Sequence, residues 1–203
     1  MFITFEGADG CGKSTQAALL NEYLNEIGQP SILTREPGGW EGGDVLRSLV
    51  LQGKLSGKWS EVFLFALDRS EHCSSVILPA LAKGKHVICE RYNDSTMAYQ
   101  VWGRGMSYEA VRELLDVPSF PIPDVKVLFR ISPETALERV LARGKPDSFE
   151  EEGFPFIKKV MRGYDALAGS EPEKWIVIEC GVRSADEIFA EVKARLTEKG
   201  LRL

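Results

Sequence analysis

Eight residues near the N-terminus, Gly7-Ala8-Asp9-Gly10-Cys11-Gly12-Lys13-Ser14, constrain this chain more than anything else in it. They fit the pattern GxxxxGK[ST] without a mismatch. An apolar run, Phe2–Glu6, precedes them and an amphipathic stretch follows, so the context is strand, loop, helix. Glycines let backbone N–H groups converge on phosphate oxygens where a Cβ would block the approach. The helix that follows adds the positive end of its dipole. Lys13 is expected to reach the β- and γ-phosphates of ATP, and Ser14 to hold Mg²⁺ through its hydroxyl. Residues 7–14 together with Thr15 form the expected ATP-binding loop.

Short apolar runs alternate with longer amphipathic ones along the rest of the chain, the pattern of an α/β fold with a parallel sheet. Strands are expected at Phe2–Glu6, Ser31–Arg35, His86–Glu90, 125–131 and Trp175–Glu179. Helices are expected at about 13–27, Gly43–Leu51, 60–81, Tyr108–Asp116, 133–143, 154–168 and 185–199. The resulting expectation is a P-loop NTPase-type three-layer sandwich, a five-stranded parallel sheet with helices on both faces. With 203 residues, no repeat and no linker, one domain is expected over 1–203. The segment 62–67, Val-Phe-Leu-Phe-Ala-Leu, is apolar all round a helix, which fits either a deeply buried helix or a homodimer face.

Composition excludes several classes. A net charge of −5 argues against a broad nucleic-acid surface, though not against a local phosphate pocket. No stretch is long and apolar enough to cross a bilayer, and the first residues do not read as a signal peptide. Cys11, Cys73, Cys89 and Cys180 lack CxxC spacing, and His72 and His86 are the only histidines. Reduced, mostly buried thiols in a cytoplasmic protein are expected, with no zinc site or His-based triad.

The motif alone does not separate switches, motors and kinases. There is no NKxD segment, which GTPase switches use to read the base. The run Val87-Ile88-Cys89-Glu90 ends in an acid followed directly by Arg91. An acid–arginine pair at the C-terminal edge of a parallel strand suits a phosphate-rich site. Glu90 is expected to bind Mg²⁺ through water, while Arg91 contacts the transferring or acceptor phosphate.

Four blocks, in order along most of the chain, resemble the thymidylate kinase family. They are residues 5–15 (FEGADGCGKST), 34–39 (TREPGG), 64–69 (LFALDR) and 90–100 (ERYNDSTMAYQ). The resemblance implies transfer of the γ-phosphoryl group of ATP to dTMP, giving dTDP and ADP, with Mg²⁺ bound alongside ATP; the apolar segment 62–67 makes a homodimer the expected assembly. It implies that Asp9 accepts from the 3′-hydroxyl of the acceptor sugar and that Glu36 is a carboxylate on the acceptor side. Arg47, Arg69 and Arg91 would surround the acceptor monophosphate, their planar guanidinium groups matching phosphate oxygens two at a time. Phe65 resembles the ring stacked on thymine, Thr96 and Gln100 the groups reading its edge, and Tyr99 the ring that crowds the 2′ position.

Arg139, Arg143 and Lys145 precede 146–150 (PDSFE), which resembles the family's mobile lid over ATP, at about 143–152. Gly10-Cys11 stands where some relatives place a loop arginine, so Arg143 is the main candidate for the catalytic cation, beside Lys13, Arg91 and Arg139. Trp40 replaces the usual threonine after Gly-Gly, and Val101-Trp102 the usual Gly-x. Ser148 replaces a lid arginine, and Arg130 stands where an acid is common. These tryptophans are expected either to reshape the acceptor site or to pack a loop. A kinase for another monophosphate, such as UMP or dUMP, is the near alternative; a P-loop binding protein that has lost catalysis is the distant one.

Overall fold

The computed structural model describes residues 1–142, 144 and 147–202. Five parallel strands form one sheet: β1 (Phe2–Glu6), β2 (Ser31–Arg35), β3 (His86–Glu90), β4 (Val125–Arg130) and β5 (Trp175–Glu179), in the order β2-β3-β1-β4-β5. β1 lies at the centre and every residue in it is buried, as expected of a parallel strand covered on both faces. Its alternation divides the core. Ile3 and Phe5 face the helices α1 (Lys13–Glu26) and α9 (Ala185–Glu198), with Leu20, Leu24, Val192 and Leu196 in the same apolar cluster. Phe2 faces the other side with Ile77 and Tyr92.

That second side is layered with α3 (Lys58–His72), α5 (Asn93–Thr96) with the π-turn that continues it (Met97–Gly103), and α8 (Gly153–Ser170); their Val62, Leu64, Met97, Tyr99, Val160 and Tyr164 share one cluster. The remaining helices are α2 (Gly43–Leu51), α4 (Leu78–Ala82), α6 (Tyr108–Asp116) and α7 (Pro133–Ala142). The expected sandwich is thus observed, with the switch in strand order at the C-terminal ends of β1 and β3, where open α/β sheets bind ligands.

The structure corrects the sequence reading in three places. The strand expected over 125–131 stops at Arg130, because Ile131 precedes the Ser132 turn that opens α7. The helix expected over 60–81 begins at Lys58 and runs through a π-turn, Cys73–Ile77, into α4. An unexpected helix follows β3: α5 continues as a wide π-turn through Met97–Gly103. Asn93-Asp94-Ser95-Thr96 are weak helix formers, and burial of Ser95, Thr96, Ala98, Tyr99 and Gln100 overrides that propensity. Such π-turns recur at functional sites. Of the apolar segment 62–67, Val62 and Leu64 are buried, while Phe63 and Leu67 are 56% and 52% exposed.

Candidate active site

The loop between β1 and α1 owes its path to glycines. Gly7 has φ +142°, and a Cβ there would lie 2.7 Å from the Phe129 carbonyl oxygen. Gly10 has φ +82°, and a Cβ would meet the Ala136 carbonyl at the same distance. No side chain fits either place. Lys13 is buried, its Nζ 3.3 Å from Asp9 Oδ1, 3.4 Å from the Ala8 carbonyl and 3.8 Å from Glu90 Oε1. Ser14 Oγ donates to Glu90 Oε1 at 2.9 Å. The two residues expected at a metal are therefore neighbours across 76 positions of sequence. Cys11 is buried, and burial pushes its thiol up, so it is an inert spacer in the loop. Thr15 is exposed on the first turn of α1.

Arg139, on α7, donates from Nη1 to the Gly10 carbonyl at 3.3 Å and from Nη2 to the Gly181 carbonyl at 3.0 Å. It braces the loop. Arg143 and Lys145 lie outside the described residues.

Arg91 follows β3 in the left-handed region, at φ +66°, with its N–H on the Phe5 carbonyl at 2.9 Å. Its Nη2 donates to Asp9 Oδ1 at 2.6 Å and to Tyr99 Oη at 3.1 Å, and the guanidinium lies 4.9 Å from the Tyr99 ring centre. Tyr99 Oη donates to Asp9 Oδ2 at 2.8 Å. Burial opposes ionisation of Asp9, but Arg91 and Lys13 outweigh it and hold the carboxyl far below the usual range. Behind Arg91, Ser95 Oγ donates to the buried Glu6 Oε2 at 2.6 Å and lies 2.7 Å from Tyr164 Oη. Burial, then Asp94, lifts the Glu6 carboxyl to about 7.

Beside this network is a cleft of about 550 Å³. Asp9, Glu36, Arg47, Phe65, Arg69, Arg91, Thr96, Tyr99 and Gln100, all the residues expected on the acceptor side, line it. Two helices face each other across it. On α3, Phe65 and Arg69 stand one turn apart; opposite them stand Thr96 and Gln100. Arg69 is buried, donating from Nε to Glu36 Oε2 at 2.7 Å and from Nη2 to Thr96 Oγ1 at 3.2 Å. Glu36 Oε1 meets His72 Nδ1 at 3.0 Å, and His72 Nε2 lies 2.6 Å from Thr34 Oγ1.

Arg47 donates to the Pro37 carbonyl at 3.0 Å; burial and then the like charges of Arg35 and Arg91 pull its guanidinium down. Crowded, partly desolvated cations of this kind favour an anion between them. Two of the residues lining the cleft each carry a buried polar atom with no hydrogen-bond partner among the described residues: Arg69 Nη1, a donor, and Gln100 Oε1, an acceptor.

The residues that depart from the family pattern lie elsewhere. The Trp40 indole N–H donates to Asp68 Oδ1 at 2.8 Å, and that carboxylate also accepts from the Gly38 N–H. Trp40 packs its loop and borders a separate groove with Ser14 and Glu90. Trp102 packs on Gly163 and edge-on to Tyr108. Ser148 donates to the Val50 carbonyl at 2.8 Å, and Arg130 pairs with Asp165 and Glu179.

Sequence reading missed Glu61, Arg104 and Phe149. Glu61 accepts from Gln100 and Arg104; Arg104 lies over the rings of Phe149 and Phe156; Phe149 is buried and, with Asp147, lines the cleft. Only the helical spacing of Glu61 from Phe65 signals any of this in the sequence.

Comparison with known proteins gives a consistent answer. The family model described as thymidylate kinase matches residues 5–191. A thymidylate kinase of Synechococcus sp. (strain JA-2-3B'a(2-13)) is 44% identical over 197 residues, covering 97% of this chain and 92% of that protein. One from Desulfovibrio desulfuricans is 39% identical, covering 98% of both chains. The crystal structure of thymidylate kinase from Ehrlichia chaffeensis superposes with a TM-score of 0.79 at 32% identity, over 97% of this chain and 98% of that one.

Proposed function

The chain belongs to the thymidylate kinase family and transfers the γ-phosphoryl group of ATP to dTMP, giving dTDP and ADP; we propose the following division of labour among its residues. The observation that carries it is the pair of orphaned atoms on the cleft, Arg69 Nη1 and Gln100 Oε1. Leaving buried polar groups unpaired is costly, and a base that completes both bonds removes that cost. Thymine offers a carbonyl oxygen, O4, beside a donor, N3–H. Cytosine in the same pose puts a donor, N4–H, where O4 lies and an acceptor, N3, where N3–H lies, so both pairings are mismatched.

Arg69 is assigned to the base edge rather than to the phosphate expected from sequence, for two reasons. Its charge is already matched by Glu36, and it shares Thr96 with the helix that carries Gln100. Arg47 and Arg91 then take the acceptor phosphate, Phe65 stacks on the ring, Asp9 accepts from the 3′-hydroxyl and Tyr99 closes the 2′ side.

In the reaction, the bond from the γ-phosphorus to the β,γ-bridging oxygen breaks as a bond forms from an acceptor phosphate oxygen to that phosphorus. The acceptor oxygen is already ionised, so no base is required. Charge spreads over the equatorial oxygens, and catalysis is positioning plus neutralisation. Lys13, from the loop, and Arg91, from the edge of β3, supply fixed positive charge, with Arg139 bracing the loop. Arg143 is proposed as the lid cation and 143–152 as the segment that closes over ATP. Ser14 and Glu90, two hard oxygen donors 2.9 Å apart, fit Mg²⁺, which would neutralise the donor phosphates.

Trp59, Phe63 and Leu67 form an exposed apolar stripe on α3, with the rings of Trp59 and Phe63 stacked at 5.8 Å, which supports a homodimer across this face. The four free, buried thiols support a cytoplasmic setting. Among the described residues no helix is long and apolar enough to cross a membrane.

ATP labelled on its γ-phosphorus tests the reaction: label is expected in the β-phosphoryl group of dTDP. Label appearing only in inorganic phosphate contradicts it.

A further inference from the structure

Gln100 presents the correct atom to a base only if its amide is held one way round, and an amide turns over at little steric cost. Glu61 holds it. On α3, one turn before Phe65, its Oε2 accepts from Gln100 Nε2 at 3.0 Å. A carboxylate has no hydrogen to give, so this bond requires Nε2 toward Glu61 and leaves Oε1 as the buried, unpartnered acceptor on the cleft. Glu61 is itself fixed: Arg104 donates from Nη2 to its Oε1 at 3.0 Å and from Nε to its Oε2 at 3.2 Å. Arg104 is anchored in turn over Phe149 and Phe156, 5.3 and 5.2 Å from their ring centres, and by an ion pair with Glu152.

We propose that Glu61 is a specificity-determining positioning residue: by fixing the Gln100 amide as an acceptor, it selects a 2,4-dioxopyrimidine, whose N3–H donates, over cytosine, whose N3 accepts. The inference rests on the acceptor-cleft reading above. Glu61 touches no reacting atom and acts only through Gln100. Its place on α3 makes the arrangement economical, because Glu61, Phe65 and Arg69 recur every four residues on one helical face. That face thus carries the group that orients the base reader, the stacking ring and the second reader.

Glu61→Gln keeps the shape and replaces an acceptor-only partner by one that also donates, so Gln100 can turn over. The ratio of kcat/KM for dTMP to that for dCMP is expected to fall by about tenfold or more. Arg69 still opposes the exocyclic amine of cytosine, so the preference weakens rather than inverts. KM for ATP is expected to stay within about twofold, because the donor site is untouched. Glu61→Ala, which frees the amide differently, is expected to lower the same ratio. A merely structural role would depress both acceptors together.

An unchanged ratio in either folded variant overturns the proposal while leaving dTMP as the acceptor of the wild-type enzyme. A wild-type enzyme that prefers dCMP overturns the cleft reading itself. A crystal structure of wild-type enzyme with dTMP gives a check that needs no variant: Gln100 Nε2 on Glu61 and Oε1 on N3 are expected. Glu61 turned away from Gln100 in that complex overturns the proposal.

Discussion

Arg91 Nη2 donates to Asp9 Oδ1 at 2.6 Å, tying the edge of β3 to the middle of the phosphate loop. Holding a residue with a Cβ at φ +66° costs about 1 kcal/mol. The backbone bond to Phe5 and the charge-assisted bond to Asp9 offset that cost. Arg91→Ala is expected to lower kcat by roughly 10²–10³-fold. Arg91→Lys is expected to recover little, because a point charge cannot serve Asp9, Tyr99 and a phosphate together. Steady-state kinetics of the two variants measure this; a lysine enzyme near wild-type rate contradicts it.

Lys13→Ala should nearly abolish transfer while leaving the fold intact. The ammonium is held on Asp9 and the Ala8 carbonyl, at the loop end of α1. Circular dichroism and single-turnover transfer, run together, separate folding from chemistry. Substantial residual transfer would remove the loop from its assigned role.

Arg69→Ala should raise KM for dTMP by about tenfold or more and leave KM for ATP within about twofold. It should also lower stability by about 3 kcal/mol or more, because Glu36 is left buried with His72 as its one other side-chain partner among the described residues. Equal losses in acceptor and donor binding would sink the assignment of Arg69 to the base edge.

Glu6 predicts a pH signature. Its folded pKa, about 7, lies above the ordinary value of 4.5, so the folded chain holds the proton more tightly than the unfolded one. Stability therefore falls as pH rises from about 4.5 to about 7 and then levels, by about 3 kcal/mol from this group. Glu6→Gln should flatten that part of the curve. Denaturant unfolding at several pH values reads it, and an unchanged slope in the variant contradicts the account.

The exposed stripe on α3 predicts self-association. Leu67→Glu should shift the sedimentation coefficient from dimer to monomer at micromolar concentration, since a charge cannot be buried unpaired in an apolar face. Wild-type enzyme that sediments as a monomer would assign the stripe no partner copy.

Much of this was legible in the chain. Four strands begin and end where the apolar runs place them, because β-runs bounded by turn residues leave little freedom. The loop at Gly7–Ser14 and the arginine after β3 were readable because phosphate chemistry demands those residue types in that order. The helix after β3 was not: its polar, weak helix-forming start is stabilised by burial and by bonds to residues distant in the chain, such as Ser95 to Glu6, Thr96 to Arg69 and Asp94 to Lys126. Glu61 and Arg104 escaped for the same reason. Their meaning depends on contacts 39 and 43 residues away. Sequence left Trp40 and Trp102 open between reshaping the acceptor site and packing a loop; contacts distant in the chain decide for packing, Trp40 on Asp68 and Trp102 on Gly163.

The most direct measurement is a coupled ADP-release assay at fixed ATP-Mg with dTMP, dUMP, UMP, dCMP and AMP in parallel. The cleft predicts the highest kcat/KM for dTMP, exceeding dCMP by tenfold or more, about 1.4 kcal/mol of discrimination. Preference for dCMP or AMP, or ADP release that ignores the acceptor, would contradict the account.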